Sequence, residues 1–191
     1  MRIVSGTARG RRLKAPPNQS KTRPMADKIK EALFSSLASL RVQPDRILDL
    51  YAGSGGVGIE ALSRGGEWCD FVDQDRIAVQ TIRDNLKNTG FEDVAAVHHT
   101  SIESFVASVR DAYDFVILDP PYADPAILDT LDWLSRSAAV EDGTIVVLGH
   151  WPRLEIPEEI GQLSLLRGRC HGDSCFAIFD TVIPDADSPA D

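Results

Sequence analysis

Arg46-Ile47-Leu48-Asp49-Leu50-Tyr51-Ala52-Gly53-Ser54-Gly55-Gly56-Val57-Gly58 is the stretch that decides the fold. Ile47, Leu48 and Leu50 make a short apolar run, the pattern of a strand buried on both faces. The glycines that follow let the backbone turn sharply and approach a ligand closely. Val57 to Arg64 then reads as a helix that stops at Gly65-Gly66. Gly53, Gly55 and Gly58 fit G-x-G-x-x-G, the turn that opens a nucleotide-binding strand–helix unit.

Working outward, the same alternation repeats. Trp68 to Val72, Val94 to His98, Tyr113 to Leu118 and Thr144 to Leu148 read as strands. Asp75 to Lys87, Ile102 to Arg110 and Ala126 to Ser135 read as helices between them. Regular alternation of this kind predicts an α/β fold with a Rossmann-like, doubly wound, mostly parallel sheet. Leu163 to Arg169 and Cys175 to Val182, around His171-Gly172-Asp173, predict a C-terminal antiparallel hairpin. Upstream, Arg2 to Gly6 and Gly10 to Lys14 read as two short strands, and Met25 to Leu40 as a helix with Pro24 in its first turn. The expected organisation is a basic N-terminal hairpin over residues 1–24, a catalytic domain over 25–183 and a disordered acidic tail over 184–191.

Asp73 ends the second strand, 20 residues after Gly53. A carboxylate there can accept hydrogen bonds from ribose hydroxyls. NAD and S-adenosylmethionine both carry a ribose, so this spacing does not separate them. Asp49 tilts the choice. A carboxylate at the mouth of the loop sits poorly beside a pyrophosphate but well beside a positively charged methionine end, directly or through water. Its structural alternative is a carboxylate bonded to amides of the loop.

The fourth strand ends in Asp119-Pro120-Pro121-Tyr122. Two prolines fix two φ angles and remove two N–H donors. The turn is stiff and points a carboxylate and carbonyls into the crevice at the strand ends. Asp119 and the Pro120 carbonyl can accept the hydrogens of a planar NH2, and Tyr122 can stack on its ring. Asp119, Pro120, Pro121 and Tyr122 are the expected catalytic residues, working mainly by positioning and electrostatics. Together the two turns imply methyl transfer from S-adenosylmethionine to an amino nitrogen.

Net charge is −9 over 191 residues. Residues 1–30 carry nine Lys or Arg and one acid, whereas the remainder carries eleven and 28. A basic segment on an acidic body suits a polyanionic partner. No apolar run reaches the roughly 20 residues that span a bilayer, and the N-terminal residues lack a secretory signal, so a cytoplasmic protein is expected. Cys69, Cys170 and Cys175 read as buried thiols rather than a disulfide framework or a zinc site. His98 and His99 face opposite sides of a strand, and no metal is expected.

These residues resemble the RsmD family of bacterial small-subunit rRNA methyltransferases, over roughly residues 1–180. Arg2-Ile3-Val4-Ser5-Gly6 and Arg9-Gly10-Arg11-Arg12-Leu13 are similar to the family's opening hairpin. Asp27 to Phe34 is similar to its linking helix, and Leu48 to Gly55 with Glu60 to Gly65 to its cofactor loop and following helix. The resemblance implies a class I methyltransferase whose donor is S-adenosylmethionine, held by Asp49, Tyr51, Ala52, Gly53, Ser54, Gly55, Asp73, Gln74, Ser101 and Ile102. It implies a 16S rRNA substrate or small ribosomal subunit particle, with methylation at N2 of guanine 966. Arg9, Arg11, Arg12, Lys14 and Arg23 would then contact phosphates, in a protein acting as a monomer. The chain departs from the family at Met25-Ala26, Ser101, Gly149 and His171. Alternatives are adenine-N6 or protein-glutamine methylation, or an RNA-binding module with a relict cofactor pocket.

Overall fold

The computed structural model describes residues 1–17, 27–120, 124 and 126–181. Helix α1 spans Asp27–Ser39 and leads into strand β1, Arg46–Leu50. The chain then alternates through α2 (Gly56–Ser63), β2 (Trp68–Asp73), α3 (Arg76–Thr89), β3 (Ala95–His99), α4 (Ile102–Ser108), β4 (Phe115–Leu118), α5 (Ile127–Ser135) and β5 (Ile145–His150). Three more strands close it: β6 (Glu159–Ile160), β7 (Leu163–His171) and β8 (Ser174–Thr181).

The eight strands among the described residues form one sheet in the order β3-β2-β1-β4-β5-β8-β7-β6. The first five pair in parallel and the last three antiparallel. Strand order reverses between β1 and β4, which opens the crevice of a doubly wound sheet at their carboxyl ends. The sequence-predicted fold is thus the observed one.

Alternation along the strands sends side chains to opposite faces. Ile47, Phe71, Phe115, Ile117 and Val147 pack with α1, α2 and α3 in one core. Leu48, Leu50, Val72, Val116 and Leu118 pack with α4 and α5 in the other. Burial on both faces explains why the central parallel strands read as apolar runs, whereas β3, at the edge, is only half-buried.

Three expectations need correction. Residues 2–6 and 10–14 do not form two strands. They make the expected hairpin, in which the Ile3, Gly10 and Leu13 amides donate across to the Arg11, Ile3 and Met1 carbonyls, but only one bridge, Arg2 to Arg12, forms, because the amides between them bond to the sheet domain. Val4 and Ser5 amides donate to the Glu60 carboxylate of α2 at 2.8 and 2.9 Å. The Ala8 amide donates to Ser63 Oγ, and the Lys14 amide to Asn85 Oδ1 of α3. Ile3, Ala8 and Leu13 are buried in the first core, so this segment is packed onto the sheet domain along its described length. Second, Cys170 and Cys175 are disulfide-bonded. The antiparallel register of β7 and β8 places them opposite each other, a relation their spacing in sequence hides. Cys69 alone is a buried thiol. Third, β6 adds a strand that the sequence does not mark; two residues give too short a pattern to read. Pro24 to Ala26 and the tail 184–191 lie outside the described residues.

Candidate active site

Parallel order sets the candidate residues in a row along the carboxyl edge. Ser101 follows β3, Asp73 and Gln74 end or follow β2, Tyr51 to Gly55 follow β1, and Asp119 and Pro120 follow β4. Gly149 and His150 end β5.

The glycine turn is built as its residues demand. Gly53 and Gly55 adopt φ of 56° and 72°, left-handed values that glycine reaches without steric cost. Tyr51 also takes a positive φ, 56°, a conformation that costs a bulky residue about 1–3 kcal/mol and is commonest at functional sites. Its ring is partly buried against the α4/α5 core, near Asp124 and Thr130. Burial is the main cause that pushes its phenol pKa up.

Asp73 fixes the turn. Its Oδ2 accepts the Gly53 amide and its Oδ1 the Asp75 amide, both at 2.8 Å. A carboxylate has about four lone-pair sites, so capacity for a ribose hydroxyl remains. Ala52 and Ser54 are buried, and the Ser54 carbonyl accepts from Asn85 Nδ2 at 2.8 Å. Gln74 is exposed, with its carbonyl 3.1 Å from His99 Nε2. Ser101 caps α4: its Oγ accepts the Ser104 amide at 3.2 Å and donates to Ser104 Oγ at 3.0 Å. Ile102 is buried beneath it.

Asp49 is 2% exposed. Its Oδ2 accepts the Gly58 amide at 2.9 Å, so it is bonded to the first turn of α2 rather than to an amide of the preceding loop. That bond does not balance the charge. Burial drives the Asp49 pKa well above the carboxylate range, and Asp119 and Asp73 push it further. Asp49 and Asp73 alternate with the first-core residues Ile47 and Phe71, and Asp119 continues the alternation of Phe115 and Ile117. The three carboxylates therefore share one face of three adjacent strands. Carboxylates crowded at this turn favour a cation over a pyrophosphate.

Asp119 and Pro120 are half-buried at the mouth, and the Asp119 amide lies 3.5 Å from the Leu50 carbonyl. Pro121 and Tyr122, expected as catalytic, lie outside the described residues, as does Arg23. Of the other expected phosphate contacts, Arg11 Nη1 donates to the Asn88 carbonyl at 2.5 Å and Lys14 pairs with Asp84 at 2.8 Å. Arg9 and Arg12 are exposed, and their side chains have no partner among the described residues. Arg12, Lys14, Asp84, Lys87 and Asn88 line a surface cavity of about 400 Å³.

A family model described as "Conserved hypothetical protein 95" matches residues 1–180. The Bacillus subtilis (strain 168) protein YlbH, provisionally named an rRNA methyltransferase, is 38% identical over 182 residues, covering 94% of this chain and 98% of its own. The chain belongs to the RsmD family. It is a methyltransferase. Within this RsmD family, the Ribosomal RNA small subunit methyltransferase D of Escherichia coli (strain K12) is 28% identical over 179 residues, 94% of this chain and 89% of that protein. A solved Escherichia coli structure, provisionally described as the methyltransferase yhhF, superposes with a TM-score of 0.80 at 28% identity, covering 95% and 98% of the two chains.

Sequence reasoning gave Glu60 no role. It is a charged residue between Ile59 and Ala61 on a fully buried helix, and that misplaced charge was the available signal. It anchors the N-terminal segment. Gly149 stands out in the sequence only as a departure from the family, because its neighbour across the sheet depends on strand register.

Proposed function

We propose that this RsmD-family chain methylates the exocyclic N2 amine of a guanine in small-subunit rRNA, at position 966 of 16S rRNA, using S-adenosylmethionine. The observation that carries the reading is the shared face of Asp49, Asp73 and Asp119 at the reversal of strand order. The donor supplies an electrophilic methyl group on a cationic sulfur. Asp73 holds the glycine turn and accepts a ribose hydroxyl. Asp49 and Asp119 make the pocket negative where the sulfonium sits. Asp119 and the Pro120 carbonyl accept the two amine hydrogens and aim the nitrogen lone pair at the methyl carbon, with Tyr122 stacking on the base. The N–C bond forms as the S–C bond breaks, its electrons return to sulfur, and the nitrogen then sheds a proton to Asp119 or to water. Catalysis comes from orientation and from charge preorganised around the reacting atoms.

The N-terminal segment serves as the RNA grip. Arg9 and Arg12 offer guanidinium groups that no described residue occupies, and Arg11 and Lys14 join them at modest cost by exchanging internal partners for phosphates. The base is splayed out of the RNA into the crevice. The names of the relatives support an rRNA substrate. The protein works as a monomer in the cytoplasm, and no described helix is long and apolar enough to cross a membrane.

The test is transfer of labelled methyl from S-adenosylmethionine to small-subunit particles and naked rRNA from a strain lacking this enzyme, followed by nucleoside analysis. N2-methylguanosine is the expected product. Label in N6-methyladenosine or in protein overturns the guanine assignment, and no transfer with intact donor binding supports the relict-pocket alternative.

A further inference from the structure

Gly149 stands next to last in β5, paired with Phe176 of β8. Leu148 before it pairs with Leu118 of β4, so the parallel register sets Gly149 level with Asp119. A Cβ built on Gly149 would lie 2.2 Å from Asp119 Oδ1, 3.1 Å from its Cγ and 3.4 Å from its Cα. No pair of non-bonded heavy atoms tolerates the first distance. The Asp119 carboxylate occupies the space that any other residue's first side-chain carbon would fill.

Backbone conformation does not explain this glycine. Its φ lies outside the left-handed region, and glycine inside a strand costs about 0.5–1 kcal/mol relative to alanine. The three nearest atoms to the added carbon all belong to Asp119, so packing against β8 does not demand it either. The atom met first is the outer end of the Asp119 side chain, so an added methyl would turn the carboxylate about its χ angles out of its present seat, while Pro120 keeps the backbone beneath it in place.

We infer that Gly149 is a positioning residue for methyl transfer: its missing side chain seats the Asp119 carboxylate over the end of β5, in the orientation that receives the substrate amine. The inference rests on the assignment of Asp119 to the amine. It adds that β5, which contributes no reacting group, sets the angle of the group that β4 presents.

The test is a cycle of four proteins: wild type, Gly149→Ala, Asp119→Ala and the double variant. Each is assayed for single-turnover methyl transfer to the particle, for donor affinity by calorimetry and for melting temperature. Gly149→Ala should lower the transfer rate about 100-fold, the cost of misplacing a reacting group by about 1 Å. Its donor affinity should stay within about threefold, since the loss falls on the chemical step. In the Asp119→Ala background, where the new methyl has room, the same substitution should change the rate less than about twofold. Equal losses in both backgrounds would show that Gly149 acts through general packing and would overturn the inference. So would a wild-type rate for Gly149→Ala beside a slow Asp119→Ala. A wild-type rate for Asp119→Ala would instead remove the assignment of Asp119 itself, and the inference with it.

Discussion

Two buried carboxylates lie close in sequence and are treated in opposite ways. Glu60, inside α2, is fully buried and receives four donors: the Val4 and Ser5 amides, Lys30 Nζ at 3.1 Å and Arg64 Nε at 2.9 Å. Asp49, at the end of β1, is almost as buried and accepts the Gly58 amide, yet it feels two further carboxylates on the same face. Burying a charge is costly unless it is paired and hydrogen-bonded. Around Glu60 the protein meets that cost with its own groups and gains a fixed N-terminal segment. Around Asp49 it leaves an imbalance, which under the proposed function the cationic donor relieves. The satisfied site is scaffold, and the imbalanced one is the proposed ligand site.

The largest effect should come from breaking the satisfied site. Lys30 and Glu60 have 0% side-chain exposure, and burial lowers the Lys30 pKa. Replacing Lys30 by Met leaves a buried carboxylate short of its cation and should cost about 3 kcal/mol in denaturant unfolding. Donor affinity of the folded variant should hold within about threefold, because the glycine turn is untouched. A loss under about 1 kcal/mol, the range of a surface pair, would mean that Glu60 is no anchor.

A smaller effect should follow from what the anchor holds out. Reversing Arg9 and Arg12 to Glu should weaken RNA binding and reduce the salt slope by about one per lost phosphate contact. Stability should stay within about 0.5 kcal/mol, since neither side chain has a partner among the described residues. An unchanged slope would assign the grip to another surface.

The smallest effect sharpens the contrast at Asp49. Its folded pKa is raised above its unfolded value, so the folded state holds the proton more tightly. That advantage is full at acid pH and is lost as pH rises through the folded pKa. Asp49→Asn keeps an acceptor for Gly58 and removes the buried charge. Its melting temperature should match wild type near pH 4 and exceed it by about 2–4 °C at neutral pH. A lower melting temperature at neutral pH would show that the Gly58 bond outweighs the desolvated charge.

The sheet is legible because its central parallel strands are buried on both faces and so read as near-continuous apolar runs, as at β1, Arg46–Leu50, β4 and β5. The glycine turn was legible because Gly53 and Gly55 hold conformations that few other residues adopt. What escaped depends on register between distant segments. Cys170 meets Cys175 only through the β7–β8 pairing, and Gly149 meets Asp119 only through β4–β5. The N-terminal residues looked like strands because Ile3 and Leu13 alternate with polar neighbours. In the fold, the Ile3 and Leu13 amides do bond across the hairpin, but those of Val4, Ser5, Ala8 and Lys14 turn to Glu60, Ser63 and Asn85, and no local pattern announces such partners. The shared face of Asp49, Asp73 and Asp119 was latent in the sequence and became visible once the parallel order was known.

The claim that the imbalance at Asp49 is aimed at a positive ligand has a direct test. Calorimetric titration of wild type and Asp49→Asn with S-adenosylmethionine and with S-adenosylhomocysteine compares a cationic with a neutral sulfur in one pocket. The substitution should weaken the cationic ligand about tenfold, a difference of about 1.4 kcal/mol, and the neutral one less than about threefold. Equal losses for both ligands, or none for either, would contradict the account.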